Sequence, residues 1–471
     1  MSAIELSRAR LIDLQWPAFD LAERPPPVEA SELQARLAAL RAAMSHARLT
    51  HVIVYGDREH FANLAYLTHF DPRFEEALLI LSCEARSPLL LVGNECEGYV
   101  GVSPLLGAGQ LRVERYQPFS LLNQPRNASR ALRDIFAGEG IGAGARIGCI
   151  GWKYFAAGEH PDAAHAIDLP AYVVDTLREL AGRKAVLNAT ALMMHPGSGL
   201  RSRCSAAEIA FFEYTGVLAS EGMKRMLFGL RPGLLDTELL ALAGYNGEPL
   251  SCHMTMVTGA NRSLGLSGPI GARIARGSPL ASNLAYWGSN VCRAGWVAEG
   301  PADLEPAARD YVEAFAAPYF AAMAEWFALL RIGTPGGRLA ALIAERLPFE
   351  RFGIFLNPGH LIHLDEWLSS PIYPGSDIPL HSGMAIQADV IPSSPVYFST
   401  RMEDGFVLAD AGLRERLRQG FPACFARCQQ RREFMIEVLG IELGEEVLPL
   451  TNTPAIVPPF FLRPERIFTA R

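Results

Sequence analysis

Side chains that could transfer protons or bind a cation are grouped in the second half of the chain. They lie in four segments, which are CHMTMVTGANR (252–262), PLASNLAYWGSNVCRAG (279–295), NPGHLIHLDEW (357–367) and the pair GMAIQADVIP with RMEDG (383–392 and 401–405). Asp389 stands between two apolar residues, and a carboxylate buried there needs a partner. A neutral histidine close to Asp389 or Glu403 would have a pKa suited to a general base. These segments therefore predict acid–base or cation chemistry.

Helices and strands of the second half must position these side chains. The run SAAEIAFFEYTGVLASEGMKRMLFGL predicts a long helix, with Ser205 as its cap and Glu208 three residues on, the capping-box arrangement. A second long helix is predicted from about 304 to 331, with apolar residues at helical spacing and a kink at Pro318. After about residue 350, GMAIQADVIP and RMEDGFVLAD alternate as strands do. We expect helices packed on a curved antiparallel sheet.

The first half of the chain has the pattern of a mixed α/β domain. ELQARLAALRAAMSHARLT predicts an amphipathic helix, HVIVYG a buried strand, ALLILS with PLLLVG a hairpin, and RIGCIG a further strand. A chain of 471 residues is too long for one ordinary core. Because Pro, Gly and Ser break the pattern between about 180 and 207, we expect two domains, at 1–200 and 201–471.

The order and content of the four segments resemble the pita-bread family of prolidases, proline-specific aminopeptidases, methionine aminopeptidases and creatinase. The resemblance includes the helix opening SAAEI and the turn LRPG. In the first half, NLAYLTHFDPRFEEALLIL (63–81) is similar to the N-terminal domains of creatinase and prolidase. The resemblance implies an α+β fold, with a C-terminal pita-bread domain and an N-terminal mixed α/β domain like that of creatinase.

The metal ligands of the family are only partly present. Metal-bearing members hold two divalent ions with two Asp, one His and two Glu, because carboxylates can bridge cations and activate the water between them. By the resemblance, the two aspartates fall on Asn283 and Asn290, the histidine on His360, and the two glutamates on Asp389 and Glu403. Neutral amides are weak ligands, so we expect no dinuclear centre and no cofactor. One divalent metal ion on His360, Asp389 and Glu403 is the alternative.

Creatinase gives a precedent for a member without metals, since it directs water at a C–N bond with a histidine base. The corresponding position here is Leu266, so the base of creatinase is absent as well. His253, at the start of the same strand, or His363 would have to take that role.

Other residues are candidates for binding a substrate. Asn283 and Asn290 would be polar pocket residues, and Glu366 belongs to an acidic cluster, HLDE, that could line the pocket. Trp367 falls near the second histidine of the peptidase members, and its presence removes a group that would bind the scissile carbonyl. Standard cleavage of proline peptides is therefore not expected.

A loop of the N-terminal domain reaches the partner's pocket in related dimers, so the resemblance implies a homodimer. Phe70 and Arg73 of HFDPRFEE are then candidates for substrate contact across the interface. An arginine there would suit a substrate carboxylate. The alternative is that Arg73 pairs with Glu75 or Glu76 on the surface.

Composition limits the partners and the location. The net charge of −7 gives no broad basic field, which argues against nucleic acid and favours a small-molecule substrate. The eight cysteines form no CxxC pair or regular framework and are expected to be reduced. The first residues lack the apolar core of a signal peptide, and no apolar run reaches membrane-spanning length. A cytoplasmic protein that does not bind membranes is expected.

These observations favour a hydrolase, or a related lyase, that acts on a C–N bond of a small polar substrate bearing a carboxylate. His360 would orient the substrate or transfer a proton, while Asp389 and Glu403 hold a cationic nitrogen group and aim the water. A mononuclear-metal hydrolase using the same three residues is one alternative. A catalytically silent binding or scaffold protein on the same fold is the other.

Overall fold

The computed structural model describes residues 9–259 and 266–471. The strands are β1 Arg10–Asp13, β2 His51–Gly56, β3 Ala77–Ser82, β4 Leu89–Val92, β5 Arg112–Arg115, β6 Ile147–Ile150, β7 Val186–Asn188, β8 Thr255–Thr258, β9 Pro279–Tyr286, β10 Ser289–Trp296, β11 His360–Leu361, β12 Ala385–Gln387, β13 Arg401–Glu403, β14 Gly405–Leu408, β15 Val447–Pro449 and β16 Arg466–Thr469. The helices are α1 Ala30–His46, α2 Ala62–Thr68, α3 Cys96–Tyr99, α4 Pro104–Gly107, α5 Leu132–Gly138, α6 Ala171–Ala181, α7 Ala191–Met194, α8 Ala206–Gly229, α9 Asp236–Ala241, α10 Ala317–Leu329, α11 Gly336–Arg346, α12 Phe349–Phe352, α13 Ala411–Gly420 and α14 Pro422–Glu437. Among the described residues, none of these helices has the length and apolar character needed to span a bilayer.

Internal contacts divide the chain into two units. One runs from Pro26 to Arg201, and the other joins the segment that ends at Pro25 to Ser202–Arg471. The division at Ser202 lies next to the expected boundary at 200 and 201. The N-terminal segment, however, groups with the second unit, whereas the expected first domain began at residue 1.

The unit from Pro26 to Arg201 contains one six-stranded mixed sheet in the order β5-β4-β3-β2-β6-β7. The central strand β2 is antiparallel to β3 and parallel to β6, and β3 forms the predicted hairpin with β4. Strand β2 is fully buried, which explains why HVIVYG is a near-continuous apolar run without alternation. In α1, Leu33, Leu37, Leu40 and Met44 are buried at helical spacing.

The second unit contains two four-stranded antiparallel sheets, in the orders β13-β10-β9-β8 and β11-β12-β14-β15. Strands β9 and β10 form a long hairpin in which every residue is buried. Helix α8 packs on β9 and β10 and begins with the predicted capping box. The side chain of Ser205 accepts from the Glu208 backbone, and the Glu208 carboxylate accepts from the Ser205 backbone. The predicted helices on an antiparallel sheet are confirmed.

Two predicted elements are shorter than expected. The predicted helix from 304 to 331 consists of one 3₁₀ turn over Pro306–Ala308, a π-helical turn over Val312–Ala316, and α10. Pro318 lies in the first turn of α10, where its missing N–H needs no partner, and the wider turn before it accommodates the proline ring. The strand expected in GMAIQADVIP is only β12, so Asp389 follows the strand and does not belong to it.

The described segments nearest the two chain ends belong to the second unit. Strand β1 pairs antiparallel with β16, and the indole N–H of Trp16 donates to the Pro464 carbonyl at 2.8 Å. Strand β15 adds to β14, and residues 447–461 are buried. The apolar C-terminal segment therefore packs on this unit.

Candidate functional site

Three acidic side chains meet at the buried ring of His360. Its Nε2 atom lies 3.4 Å from an oxygen of Glu366, 3.9 Å from one of Asp389 and 4.0 Å from one of Glu403. The His360 side chain is 0% exposed, and those of Asp389 and Glu403 are 8% and 5% exposed. Glu366 is 25% exposed, so solvent reaches the cluster on its side.

The two sheets position these groups by backbone pairing. His360 opens β11 and stands opposite Gln387 of β12, two residues before Asp389. Glu403 ends β13 and stands opposite Cys292 of β10. The chain after β11 turns back on itself, since the backbone N–H of Leu361 donates to Ser369 and that of Leu368 donates to Leu361. That short loop brings Glu366 back beside His360, at the start of β11.

The two asparagines at the expected aspartate positions have different surroundings. The Asn290 Nδ2 donates to Glu403 at 2.9 Å and lies 3.4 Å from an oxygen of Glu366. The Asn283 Oδ1 accepts the backbone N–H of Thr255 at 2.8 Å and also the Thr255 hydroxyl. Asn290 therefore belongs to the cluster, whereas the oxygen of Asn283 is engaged in holding β8.

Burial and crowding of charge change the pKa of every acid in the cluster. Burial raises the pKa of Glu403, and the neighbouring Asp389 and Glu366 raise it further, well above its ordinary value. Burial also raises the pKa of Asp389, against the opposing effect of His360 and Arg401. For Glu366, burial is outweighed by His360, which lowers the pKa of the carboxyl.

The pKa of His360 shifts in the direction opposite to that of Glu366. Burial lowers the pKa of His360, but the attraction of Glu366 and Asp389 outweighs it, and the net pKa is raised. A protonated His360 beside an ionised Glu366, with a proton retained on Glu403, is the charge arrangement that these shifts favour.

Arg401 is a member of the cluster that the sequence did not identify as a site residue. It lies two positions before Glu403 in β13, so both side chains point to the same face of the strand. Burial lowers the pKa of Arg401, yet the nearby Cys292, Asp389 and Glu403 raise it by more. Because strand side chains alternate between faces, the position of Arg401 two residues before Glu403 could have indicated that it lies on the same face.

Trp367 covers one face of the histidine. The Trp367 and His360 rings are stacked, with centroids 4.1 Å apart and planes 14° from parallel. The Nδ1 atom of His360 lies 3.2 Å from the Leu361 carbonyl oxygen. The ring is therefore fixed in orientation, with Nε2 directed at the three acids.

The two alternative bases lie elsewhere. The Nε2 of His363 is 3.1 Å from Glu208, and its ring packs edge-on against Phe212. His253 is exposed, with its Nε2 3.2 Å from the Leu266 carbonyl oxygen. The expectation that either replaces the creatinase base beside Asp389 or Glu403 receives no support from these contacts.

The two candidate residues of the N-terminal loop have different surroundings. Phe70 is 0% exposed and packs against Tyr99, and its contact with substrate stays a prediction. Arg73 donates to the Tyr99 hydroxyl at 2.7 Å and lies 3.5 Å from Asp71, and not beside Glu75 or Glu76. The Arg73 side chain is 53% exposed, and its role in binding substrate stays a prediction.

The donor set fits one divalent cation better than two. Ligand atoms of His360, Glu366 and Glu403 lie within 4.8 Å of one another, and the His360 Nε2 has no hydrogen-bond partner. Glu366 thus takes the place that the sequence gave to Asp389 in a mononuclear set. A second cation would need the amide oxygens of Asn283 and Asn290, which are neutral and weak ligands, and the oxygen of Asn283 already accepts from Thr255.

Known structures share this fold, although no protein-family model and no curated protein sequence matches the chain. The Xaa-Pro dipeptidase from Bacillus anthracis superposes with a TM-score of 0.61 at 14% identity, covering 81% of this chain and 96% of that one. The prolidase from Pyrococcus horikoshii gives 0.60 at 16%, covering 80% and 95%. The aminopeptidase PepP of Pseudomonas aeruginosa gives 0.56 at 16%, covering 85% and 97%.

These likenesses define the class of fold. Helices on antiparallel sheets, preceded by a mixed α/β unit, form the pita-bread architecture, and the predicted fold class is confirmed. The structures most informative for this chain are those of dipeptidases, prolidases and Xaa-Pro aminopeptidases.

Proposed function

We propose that this protein is a hydrolase that cleaves a C–N bond in a small polar substrate bearing a carboxylate, without a dinuclear metal centre. The observation that carries the proposal is the convergence of Glu366, Asp389 and Glu403 within 4.0 Å of the buried Nε2 of His360. Burying three acids so close together lowers the stability of the fold, so stability does not explain the arrangement. Neighbouring acids whose pKa values are separated are typical of catalytic sites. The similar structures described above are a dipeptidase, a prolidase and an aminopeptidase, which supports the same reaction class.

The pKa directions assign the roles. Glu403, whose pKa is raised well above its ordinary value, retains a proton that it can give to the leaving nitrogen. Asp389 also has a raised pKa, and its Oδ1 has no hydrogen-bond partner, which suits it to accept a proton from water. The paired His360 and Glu366 hold the reacting groups in place, and Arg401 balances part of the negative charge.

Substrate preference follows from charge and from Trp367. The surplus of carboxylates favours a substrate with a cationic nitrogen next to the bond that breaks. The Trp367 ring occupies the face of His360 and offers a flat apolar wall, but no donor for a scissile peptide carbonyl on that face. We therefore propose a non-peptide amide or amidine in preference to a proline peptide.

A mononuclear-metal hydrolase is the second candidate. Nδ1 of His360 faces a backbone carbonyl while Nε2 faces the three carboxylates, which is the orientation of metal-binding histidines. A single cation held by His360, Glu366 and Glu403 would supply Lewis-acid activation of water.

The test is hydrolysis of a panel of N-carbamoyl, guanidino and N-acyl amino acids and Xaa-Pro dipeptides, with released amine as the readout. We expect turnover of at least one non-peptide substrate, and a loss of about 10²-fold or more in kcat for Glu403→Gln and His360→Ala. Glu437→Gln, an exposed glutamate, is the matched control and should be unaffected.

Three outcomes separate the alternatives. Activity that persists after exhaustive chelation supports the metal-free reaction. Activity that chelation removes and one equivalent of Mn²⁺ or Zn²⁺ restores supports the second candidate. A compound that raises the Tm of the wild type and not of Glu403→Gln, without any product, supports a binding protein and contradicts both hydrolase proposals.

Partners and location remain proposals. We propose a homodimer in the cytoplasm that binds a small molecule and neither nucleic acid nor membrane. The net charge of −7 supports the exclusion of nucleic acid.

A further inference from the structure

A second cluster of ligand-type side chains lies in the second unit, formed by Cys204, Glu208 and His363. All three residues are buried, and each offers a donor atom within 4.8 Å of the others. They come from three places in the chain: the residue before the cap of α8, the first turn of α8, and the loop after β11. We propose that this cluster binds one zinc ion. It is separate from the proposed reaction, because it shares no residue with the cluster around His360.

Each donor is held in place by its own local structure. The capping box fixes the Glu208 carboxylate, since one oxygen accepts the Ser205 N–H at 2.8 Å and the other lies 3.1 Å from the His363 Nε2. The Cys204 backbone N–H donates to Gly383 at 2.8 Å. The His363 ring is fixed edge-on against Phe212, with centroids 5.1 Å apart. A site held this way binds an ion at little cost in side-chain entropy.

The separation of the donors suits a tetrahedral ion. With typical zinc–sulfur, zinc–nitrogen and zinc–oxygen bonds, neighbouring donors lie roughly 3.4–3.6 Å apart. The oxygen and nitrogen pair is at 3.1 Å, and no pair exceeds 4.8 Å, so small side-chain rotations complete the set. Three protein ligands leave a fourth position for water.

Charge and donor type select the ion. A thiolate, a carboxylate and a neutral imidazole carry two negative charges, which a divalent cation neutralises in a buried place where a net charge would be unfavourable. Sulfur as a donor favours Zn²⁺ or Co²⁺ over Mg²⁺, Ca²⁺ and Mn²⁺. The His360 cluster has only nitrogen and oxygen donors in its set, so the sulfur distinguishes the two sites.

The zinc would join the start of α8 to the loop that leaves β11. His363 is three residues after His360, so an ion at this point restrains the strand that carries the histidine of the candidate active site. We infer a structural role for the ion, with no part in the chemistry.

The test uses cobalt as a spectroscopic probe of thiolate ligation. The full-length protein is stripped with a chelator, returned to metal-free buffer and titrated with Co²⁺ and then with Zn²⁺. We expect a near-ultraviolet thiolate-to-cobalt charge-transfer band that saturates at one equivalent and disappears on addition of Zn²⁺. Cys204→Ser should lose the band, while Cys252→Ser, Cys424→Ser and Glu403→Gln should keep it.

A variant of a second ligand tests the assignment further, and a variant of the capping residue controls for a change in the fold. His363→Gln should lose the band with an unchanged circular dichroism spectrum. Ser205→Ala is a control for loss of the helix cap and should keep the band, because the Glu208 carboxylate accepts the Ser205 backbone N–H, which alanine retains. Absence of the band from the wild type, or its survival in both Cys204→Ser and His363→Gln, overturns the proposal. Loss of the band in Glu403→Gln alone also overturns it, since the ion would then belong to the other cluster.

Discussion

Position 290 shows how one atom changes the chemistry of the candidate site. An aspartate there would add a carboxylate to the three that already surround His360, and that much negative charge requires cations. The Asn290 amide instead donates to Glu403 at 2.9 Å, so an N–H group occupies the side of the carboxylate that a cation would otherwise approach. The neutral side chain thus makes the acidic cluster compatible with folding in the absence of a second metal.

Asn290→Asp should reverse this effect. Without metal, a fourth carboxylate beside Glu403 repels its neighbours, and we expect the Tm at pH 8 to fall by about 5 °C or more. Addition of Mn²⁺ or Zn²⁺ should restore the Tm more in this variant than in the wild type. Asn127→Asp, the same change at an exposed position, is the control. Equal Tm values for Asn290→Asp and the wild type in chelator would contradict the prediction.

Glu403 makes stability depend on pH in a defined direction. A carboxyl with a raised pKa in the folded state contributes stability that is fully present below its ordinary pKa and is lost as the pH rises through the raised value. The raised pKa of His360 acts in the same direction, so the Tm of the wild type should fall between mildly acidic and alkaline pH. The lowered pKa of Glu366 acts oppositely, and only at lower pH.

Glu403→Gln should flatten that fall, because the glutamine oxygen can still accept from Asn290 while the buried charge is gone. We expect the Tm at pH 8 to rise by about 2–4 °C for each kcal/mol recovered, with little change at pH 5. Scanning calorimetry in chelator-containing buffer from pH 5 to 9 measures the effect, with Glu437→Gln as the control. A variant whose Tm follows that of the wild type across this pH range would show that Glu403 does not cause the pH dependence of stability.

The sequence identified several of these side chains, whereas the partners of others depend on contacts that no local pattern indicates. His360, Asp389 and Glu403 could be selected because each stands in a short motif of defined order. Glu366 was expected to contact substrate, but it is the nearest acid to His360, because the turn that returns it depends on a backbone pairing the sequence does not display. His363 pairs with Glu208, 155 positions away, and no local spacing could have indicated that contact.

At the scale of elements, the β9–β10 hairpin is the feature that presents both asparagines. Its turn contains Gly288, whose φ of +76° is in the left-handed region, and an added methyl group would overlap the ring of Phe212 on α8. Glycine is therefore required for conformation and for space.

Gly288→Ala should lower the stability of the second unit by about 2–4 kcal/mol, seen as a fall in Tm of about 5–10 °C. It should also reduce activity, because Asn283 and Asn290 flank the turn. Gly98→Ala is the control, since that glycine has no atom near an added methyl group. A thermal shift equal to that of the control would exclude a role for this turn.

Elements with strong local signals were predictable, and those fixed by distant partners were not. The capping box of α8 and the apolar strands of the first unit follow from local residue types. Strand β1 forms only because β16, more than 450 positions later, lies beside it, and its four residues carry no pattern of their own. The π-helical turn before Pro318 likewise depends on how the proline is accommodated in the folded unit.

At the scale of the whole molecule, the C-terminal segment supports the floor of the candidate site. Asp404, next to Glu403, is 0% exposed and pairs with the buried Arg293 at 2.7 Å. Thr451 and Thr453 donate to the same carboxylate at 2.8 and 3.1 Å, and the Arg293 guanidinium donates to the Thr453 carbonyl at 2.6 Å. The charged pair beneath β13 is thus satisfied only with the C-terminal segment in place.

Deletion of residues 447–471 should therefore give aggregated protein. The truncation removes β15 and β16 and exposes the apolar surface that they cover. It also removes hydrogen-bond partners of the buried Arg293–Asp404 pair, and water could replace those partners only if the unit unfolded locally. Size-exclusion chromatography with light scattering measures the outcome, and Thr451→Val is a graded control that should remain soluble with a lower Tm. A soluble, monodisperse truncated protein that unfolds cooperatively would contradict the prediction, because β13 and its Glu403 would then be held without the C-terminal segment.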